Sequence, residues 1–139
     1  MINDIVSFFL MEIDEFRDYC LEKPETSESF PFDEDTLVFK VAEKMFALTS
    51  LKKWEAGDHS VNLKCDPDLA IELRSKYPQD VLPGYHMHKK HWNTVTLVNS
   101  ALSEKYIRHL INHSYELVVS KMTKKKRDAL REQYPEYFE

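Results

Sequence analysis

The nine residues Tyr85–Asn93, YHMHKKHWN, hold the densest set of side chains capable of chemistry in the chain. Three imidazoles, His86, His88 and His91, are of a type that holds divalent ions. Read as a strand, the segment puts His86 and His88 on one face, with His91 just past a turn. The spacing matches no tight signature such as HExxH, and alternate polar residues on the wet face of a strand look the same. Binding fits these residue types better than metal ligation. Lys89 and Lys90 offer point charges for phosphate, Tyr85 and Trp92 offer stacking faces, and Asn93 can donate and accept hydrogen bonds. A structural role competes at Trp92, since a tryptophan serves as a core anchor more often than as a contact.

A second basic-aromatic tip, Lys52-Lys53-Trp54, follows a strand-like run and makes a pair of basic wings with Lys89-Lys90. Lys64 adds a further cation for phosphate contact. Lys124–Arg127 (KKKR) is a third basic patch, which at a helix surface usually means a solvated face. Nucleophilic catalysis finds little support. Ser114 and Tyr115 lie in a helical pattern without a strained GxSxG turn, and neither cysteine has a base beside it in sequence. Two glycines cannot build a P-loop or a GxGxxG turn. The expectation is a non-enzyme with no catalytic residues and no cofactor.

Composition sets the class. The 139 residues suit one domain over 1–139, 42% hydrophobic and 31% charged, with only 2 Gly and 6 Pro to build linkers. Cys20 and Cys65 give neither a disulfide framework nor a CxxC pattern, as in a reducing compartment. No apolar run reaches the ~18 residues of a membrane span, and the acidic N-terminus lacks the basic start of a signal peptide. The expected location is the cytoplasm, and the expected state a monomer.

The net charge of −5 is unevenly spread: residues 1–35 contribute −9 and residues 36–139 contribute +4. An acidic segment attached to a mildly basic body leaves DNA admissible as a partner without demanding it.

The elements that must position these residues read as α-β-β-β-α-β-β-α-α. Ile5, Val6, Phe9, Leu10, Ile13 and Phe16 recur at helical spacing, predicting a helix over Asn3–Leu21 with Asn3 as N-cap. Lys23–Asp35 reads as a loop. Thr36–Val41 and Met45–Ser50 form a hairpin, Leu51–Ser60 a polar turn, and Val61–Cys65 an alternating strand. Asp66-Pro67 starts a helix that ends before Pro78. Val81–Gly84 reads as a turn between that helix and two strands, Tyr85–His88 and Thr94–Val98. Ser103 caps a helix to about Lys121, with Tyr106, Ile107, Leu110, Ile111, Leu117 and Val118 inward, and Thr123 caps a last one. Sequential strands with helices on one face define an α+β fold on an antiparallel sheet.

The runs Val38–Leu51 (VFKVAEKMFALTSL), Leu63–Leu97 and Leu110–Leu130 together resemble the MmcQ/YjbR family of small bacterial proteins. Lys64-Cys65-Asp66, PGYHM-x-KKHWN over Pro83–Asn93, and Ser114–Val119 (SYELVV) carry the resemblance, which covers nearly the whole chain. It implies a CyaY-like α+β domain, described as a double-wing DNA-binding motif. It attaches no catalytic role to the matching residues Lys64, Pro67, Pro83, Gly84, Tyr85, His86, Met87, Lys89, Lys90, His91, Trp92, Asn93, Ser114 and Tyr115.

Two departures stand out: Ala42-Glu43 replaces glycines of the family's first hairpin, suggesting a different turn, and His88 replaces a polar amide. The functional expectation is a DNA-binding module using basic loop tips. The alternative is a domain that binds a protein or a small anionic ligand through Lys52, Lys53, Lys64 and Tyr85–Asn93.

Overall fold

A computed structural model describes residues 11–138. Five helices and six strands follow in the order α1 (Ile13–Leu21), β1 (Thr26–Ser29), β2 (Thr36–Val41), β3 (Lys44–Ser50), α2 (Leu51–Glu55), β4 (Ser60–Lys64), α3 (Pro67–Lys76), β5 (Val81–Pro83), β6 (Trp92–Thr96), α4 (Glu104–Ser120) and α5 (Lys124–Gln133). The strands form one antiparallel sheet in the order β1-β2-β3-β4-β6-β5. None of the described helices is long and apolar enough to cross a membrane.

The helix α1 starts at Ile13, after the non-helical Met11 and Glu12. It begins with a capping box between Glu12 and Glu15, so Glu12 and not Asn3 is the cap. Asn3 itself lies outside the described residues. The acidic stretch after α1 contains an edge strand, β1, paired with β2. Its polar sequence TSES hides it, because an edge strand exposed on alternate residues needs little apolar character. The turn after β3 contains the short helix α2, capped by Ser50, whose hydroxyl accepts from Lys53 N.

The largest correction concerns Val81–His88. Val81–Pro83 is a strand, not a turn, and Tyr85–His88 is a turn, not a strand. Val81 pairs with Val95 and Pro83 with Asn93, so the strand begins four residues earlier, at Val81 and not Tyr85, than alternation of the histidines implies. His86 has φ +57°, a left-handed conformation no strand contains. His86 and His88 therefore do not share a strand face.

The first hairpin also departs from expectation. Ala42 and Glu43, at φ +51° and +63°, close a two-residue turn between paired Val41 and Lys44. Left-handed backbone at both positions is the primed turn that glycine or asparagine favours, formed here by two residues that carry a Cβ.

One sheet face is covered by helices. Phe16 of α1 meets Phe39 edge-on, and Phe46 meets Tyr115 of α4 in the same way, with ring centres 5.6 and 5.4 Å apart. The α4 spacing that selects Ile107, Leu110, Ile111 and Val118 holds, while Tyr106 and Leu117 are only half-buried. The opposite face carries a second, smaller apolar cluster of Val38, Leu48 and Trp92, with Met45 and Met87 packed on it.

Ser114 repairs a gap between the two central strands. The β2–β3 register shifts after Phe39, leaving Phe46 without a partner, and β3 pairs with β4 only at Ala47–Leu63 and Leu48–Asn62. There the Ser114 hydroxyl accepts from Lys64 N at 2.8 Å and donates to Phe46 O, satisfying both buried backbone groups. Tyr115 donates to Pro24 O at 2.7 Å and ties the chain after α1 to the core. The SYELVV run is thus explained by architecture.

Candidate functional site

The β3, β4 and β6 residues facing away from the helices build a cleft of about 510 Å³. Leu48 pairs with Asn62 and Asn62 with Thr94, so these three form one row across its floor. Met45 and Met87 add apolar surface beside them. Three irregular segments make the walls: Phe32, Asp33 and Asp35 before β2, Ser50 and Lys53 at the start of α2, and Tyr85–Met87 after β5. Phe32, 63% exposed, and Tyr85, 57% exposed, set two large rings at the rim of the cleft.

The walls are fixed by hydrogen bonds. Asp33 accepts from Thr36 N and Asp35 N, which hold its carboxyl below the usual range. Asp35 accepts from the Ser50 hydroxyl and from Lys52 N, with the same effect. Both carboxylates are therefore committed to shaping the loop and α2. Thr94 accepts from Tyr85 N at 3.0 Å and donates to Asn62 Oδ1. That arrangement leaves the Asn62 amide nitrogen as the donor this pair can offer to a ligand. Across the cleft, the Lys53 ammonium lies 4.1 Å from the centre of the Tyr85 ring.

The sequence-selected residues are divided among several places. Lys53, Tyr85 and His86 line the cleft. Lys52 borders Asp33, Glu34 and Asp35 in a separate depression. Lys64, His91 and Trp92 border another hollow with Lys121. The His88 and His91 rings lie 5.2 Å apart, while His86 pairs with Tyr85 at 4.0 Å. The three histidines do not converge, and among the described residues no group of three His, Cys, Asp or Glu side chains is placed to hold a metal.

Two members of the set are structural. Trp92 is 5% exposed and packs in the second-face cluster, its backbone held by Gly84 N, which donates to Trp92 O at 2.9 Å. Asn93 is 2% exposed and accepts from Arg74 Nε at 2.7 Å. Arg74 also donates to Lys89 O and Trp92 O, so one α3 side chain clamps the whole 89–93 segment. Gly84 is required by contact: a Cβ there would lie 2.7 Å from that of Trp92.

Sequence reasoning missed Arg74, Asn62, Leu48, Met45 and Phe32. Asn62 carried a usable signal, as a polar residue on the outward phase of a strand. Arg74 and Phe32 carried none, because their partners are remote in sequence.

An antiparallel sheet with helices on one face and a walled cleft on the other defines a small α+β protein. The comparisons with known proteins give it a family. The YjbR family model matches residues 21–117, and the chain belongs to the YjbR family. It is 38% identical to the uncharacterized protein YbdF of Escherichia coli O157:H7 over 81% of this chain and 88% of that one. It is 34% identical to the uncharacterized protein YjbR of Escherichia coli K12, over 86% and 98%. Among solved structures, the Deinococcus radiodurans protein DR2400, a DUF419 domain, superposes with a TM-score of 0.79 at 40% identity, covering 87% of this chain and 88% of that one. A Pseudomonas syringae protein gives 0.64 at 33% identity, covering 77% and 98%.

Proposed function

We propose that the protein is a non-catalytic binding module whose second sheet face takes a small organic anion with an apolar body. The cleft of about 510 Å³ carries this reading, because its size and its combination of apolar side chains with fixed polar groups suit a small-molecule site. Leu48, Met45 and Met87 receive the apolar body, and Tyr85 offers a ring face. The Asn62 amide and the Lys53 ammonium meet the negative group. Asp33 and Asp35 line the far end, bonded to backbone N–H groups and to the Thr36 and Ser50 hydroxyls, so the ligand's negative group belongs at the Lys53 end, away from them.

DNA is the weaker reading. A phosphate backbone favours cations without acids beside them, and here Lys52 borders Asp33, Glu34 and Asp35.

The test is a screen of aromatic carboxylates and aryl phosphates against isotope-labelled protein. Binders are expected to shift the Asn62 and Thr94 amides and the Met45 and Met87 methyls. Lys53→Gln is expected to weaken them by roughly tenfold, about the 1.4 kcal/mol of one charge-assisted contact. Shifts scattered over the surface, or affinity indifferent to Lys53→Gln, would sink the reading. So would duplex DNA binding with a steep salt dependence in a protein whose cleft takes nothing.

A further inference from the structure

Two residues along β4 from Asn62, roughly 6.6 Å further on, Lys64 faces a second hollow of about 280 Å³. Its walls include Lys64, His91, Trp92, Leu117 and Lys121. Each arrives by a different route. Lys64 is paired with Trp92 across β4 and β6, and its ammonium lies 5.6 Å from the indole centre. His91 is drawn against the end of β4 by Cys65 N, which donates to His91 O at 2.8 Å. Lys121 closes α4.

Lys64 and Lys121 bring two ammonium groups to one hollow, with the His91 imidazole beside them. Burial first, then Lys121 and Lys44, press Lys64 toward its neutral form. Burial first, then His88, Lys121, Lys90 and Lys64, do the same to His91. Two strands, a turn and a helix end thus bring like charges to one hollow. The one carboxylate in its wall, Asp66, caps α3, its Oδ2 accepting from Asp68 N and Leu69 N at 3.1 and 3.2 Å. The ion pairs among the described residues are Arg17–Glu28, Arg108–Glu104 and Lys124–Asp128, and none relieves this cluster.

Folding alone accounts for part of this. A lysine at the C-terminus of α4 is favourable against the helix dipole, which explains Lys121. It explains neither Lys64, whose stem is half-buried against Trp92, nor the approach of His91. A convergence of unpaired cations costs stability unless an anion joins it.

We propose that this hollow is a phosphate site, in which Lys64 and Lys121 supply point charges, His91 supplies a ring N–H, and Trp92 forms the wall. Phosphate suits it better than carboxylate because a dianion offsets more of the repulsion among several cations. Lysine is itself an established phosphate binder, acting as a point charge. The hollow is separate from the Lys53–Tyr85 cleft and does not depend on the reading given to it. A phosphorylated metabolite and a nucleic-acid backbone present related chemistry and are separated by their charge.

The experiment titrates isotope-labelled protein at low salt with methyl phosphate, dimethyl phosphate and, at matched ionic strength, sodium chloride. Saturable shifts are expected at the amides of Lys64, Cys65, His91, Trp92 and Lys121, with no such response to chloride. Lys64→Gln and Lys121→Gln should each weaken binding roughly fivefold to tenfold, whereas Lys125→Gln on α5 should change nothing. Preference for the methyl phosphate dianion identifies a small phosphate ester as the ligand. Equal binding of the dimethyl phosphate monoanion identifies a phosphodiester backbone. Absence of saturation, an equal response to chloride, or binding untouched by Lys64→Gln in a protein of unchanged melting temperature overturns the proposal. Shifts at Asn62 and Met87 instead would report the cleft and likewise count against this site.

Discussion

The ammonium of Lys53 sits 4.1 Å from the centre of the Tyr85 ring, joining the start of α2 to the turn after β5 across the mouth of the cleft. The two residues lie on separate basic-aromatic tips, and the cation–π contact is the direct link between them. Because Tyr85 is 57% exposed, the contact is partly solvated and worth about 0.5 kcal/mol. A double-mutant cycle with Lys53→Ala and Tyr85→Ala, read by denaturant unfolding, should return coupling of that size. Lys53→Arg should keep it. Strict additivity would mean the mouth of the cleft is not held by this pair.

Ser114 should be among the costliest single-atom deletions in the chain. Ser114→Ala removes the hydroxyl that bridges Lys64 N and Phe46 O where the β3–β4 ladder is interrupted. Two backbone groups lose their partner, so destabilisation of about 2–4 kcal/mol is expected. Tyr115→Phe, which loses only the bond to Pro24 O, should cost about 1 kcal/mol. Equal losses for the two would refute the bridging role.

The hairpin turn at Ala42-Glu43 offers the opposite sign. Both residues are left-handed, at φ +51° and +63°, where a Cβ is unfavourable. Replacing them with Asn-Gly supplies the residues this turn prefers and should raise stability by about 1 kcal/mol. A loss of stability on chemical denaturation would show that contacts of Ala42 or Glu43 outweigh their backbone strain.

The same hairpin shows what the sequence made legible. Strand spacing over Thr36–Ser50 located it, and Asp66-Pro67 and Ser103 located two helix starts, because each signal is local. The site was less legible. YHMHKKHWN drew attention by its residue types, but alternation of the histidines imitated a strand. The actual strand is Val81–Pro83, which needs the remote partner β6 to be recognised. Lys53 and Tyr85 were both named without any sign that they meet. Phe32, Met45 and Leu48 stayed invisible as cleft residues, since an apolar side chain gives no sequence signal of which sheet face it serves.

The clamp on residues 89–93 leads to a prediction about motion. Arg74 donates to Asn93 Oδ1 and to the carbonyls of Lys89 and Trp92. Arg74→Lys cannot reproduce a planar fork with several donors. It should speed hydrogen exchange of the His91 and Trp92 amides well beyond that of β2 and β3. Gly84→Ala attacks the same segment by crowding Trp92 Cβ and should cost about 1–3 kcal/mol. Unchanged exchange at residues 91 and 92 in Arg74→Lys would assign their order to the bonds both amides donate to His88 O.

Lys23 makes the alkaline side of stability a test of the core. Its side chain is only 4% exposed, and its ammonium donates to Asn112 Oδ1 and, at 3.0 Å, to the Tyr137 hydroxyl. The Tyr19, Tyr115 and Tyr137 rings surround it with centres 4.5, 5.6 and 5.4 Å away. Burial lowers its pKa to about 8. The unfolded chain, with lysine near ~10.4, therefore holds this proton more tightly between those values, and the Lys23 contribution to stability rises with pH across that window. Cys20 and Cys65 act oppositely. Burial raises both thiols, Cys65 to about 11, while unfolded thiols ionise near ~8.5, so their contribution falls as pH climbs. The raised Tyr115 and Tyr137 hydroxyls add to that fall above ~10. A difference measurement isolates the lysine: between pH 8 and 10, Lys23→Met should lose stability more steeply than the parent, by roughly 1–2 kcal/mol over the interval. The figure stays below the full titration value because three tyrosine faces favour the charged form. Parallel curves by denaturant unfolding at pH 8, 9 and 10 would mean that the aromatic cage offsets the whole cost of burying the ammonium.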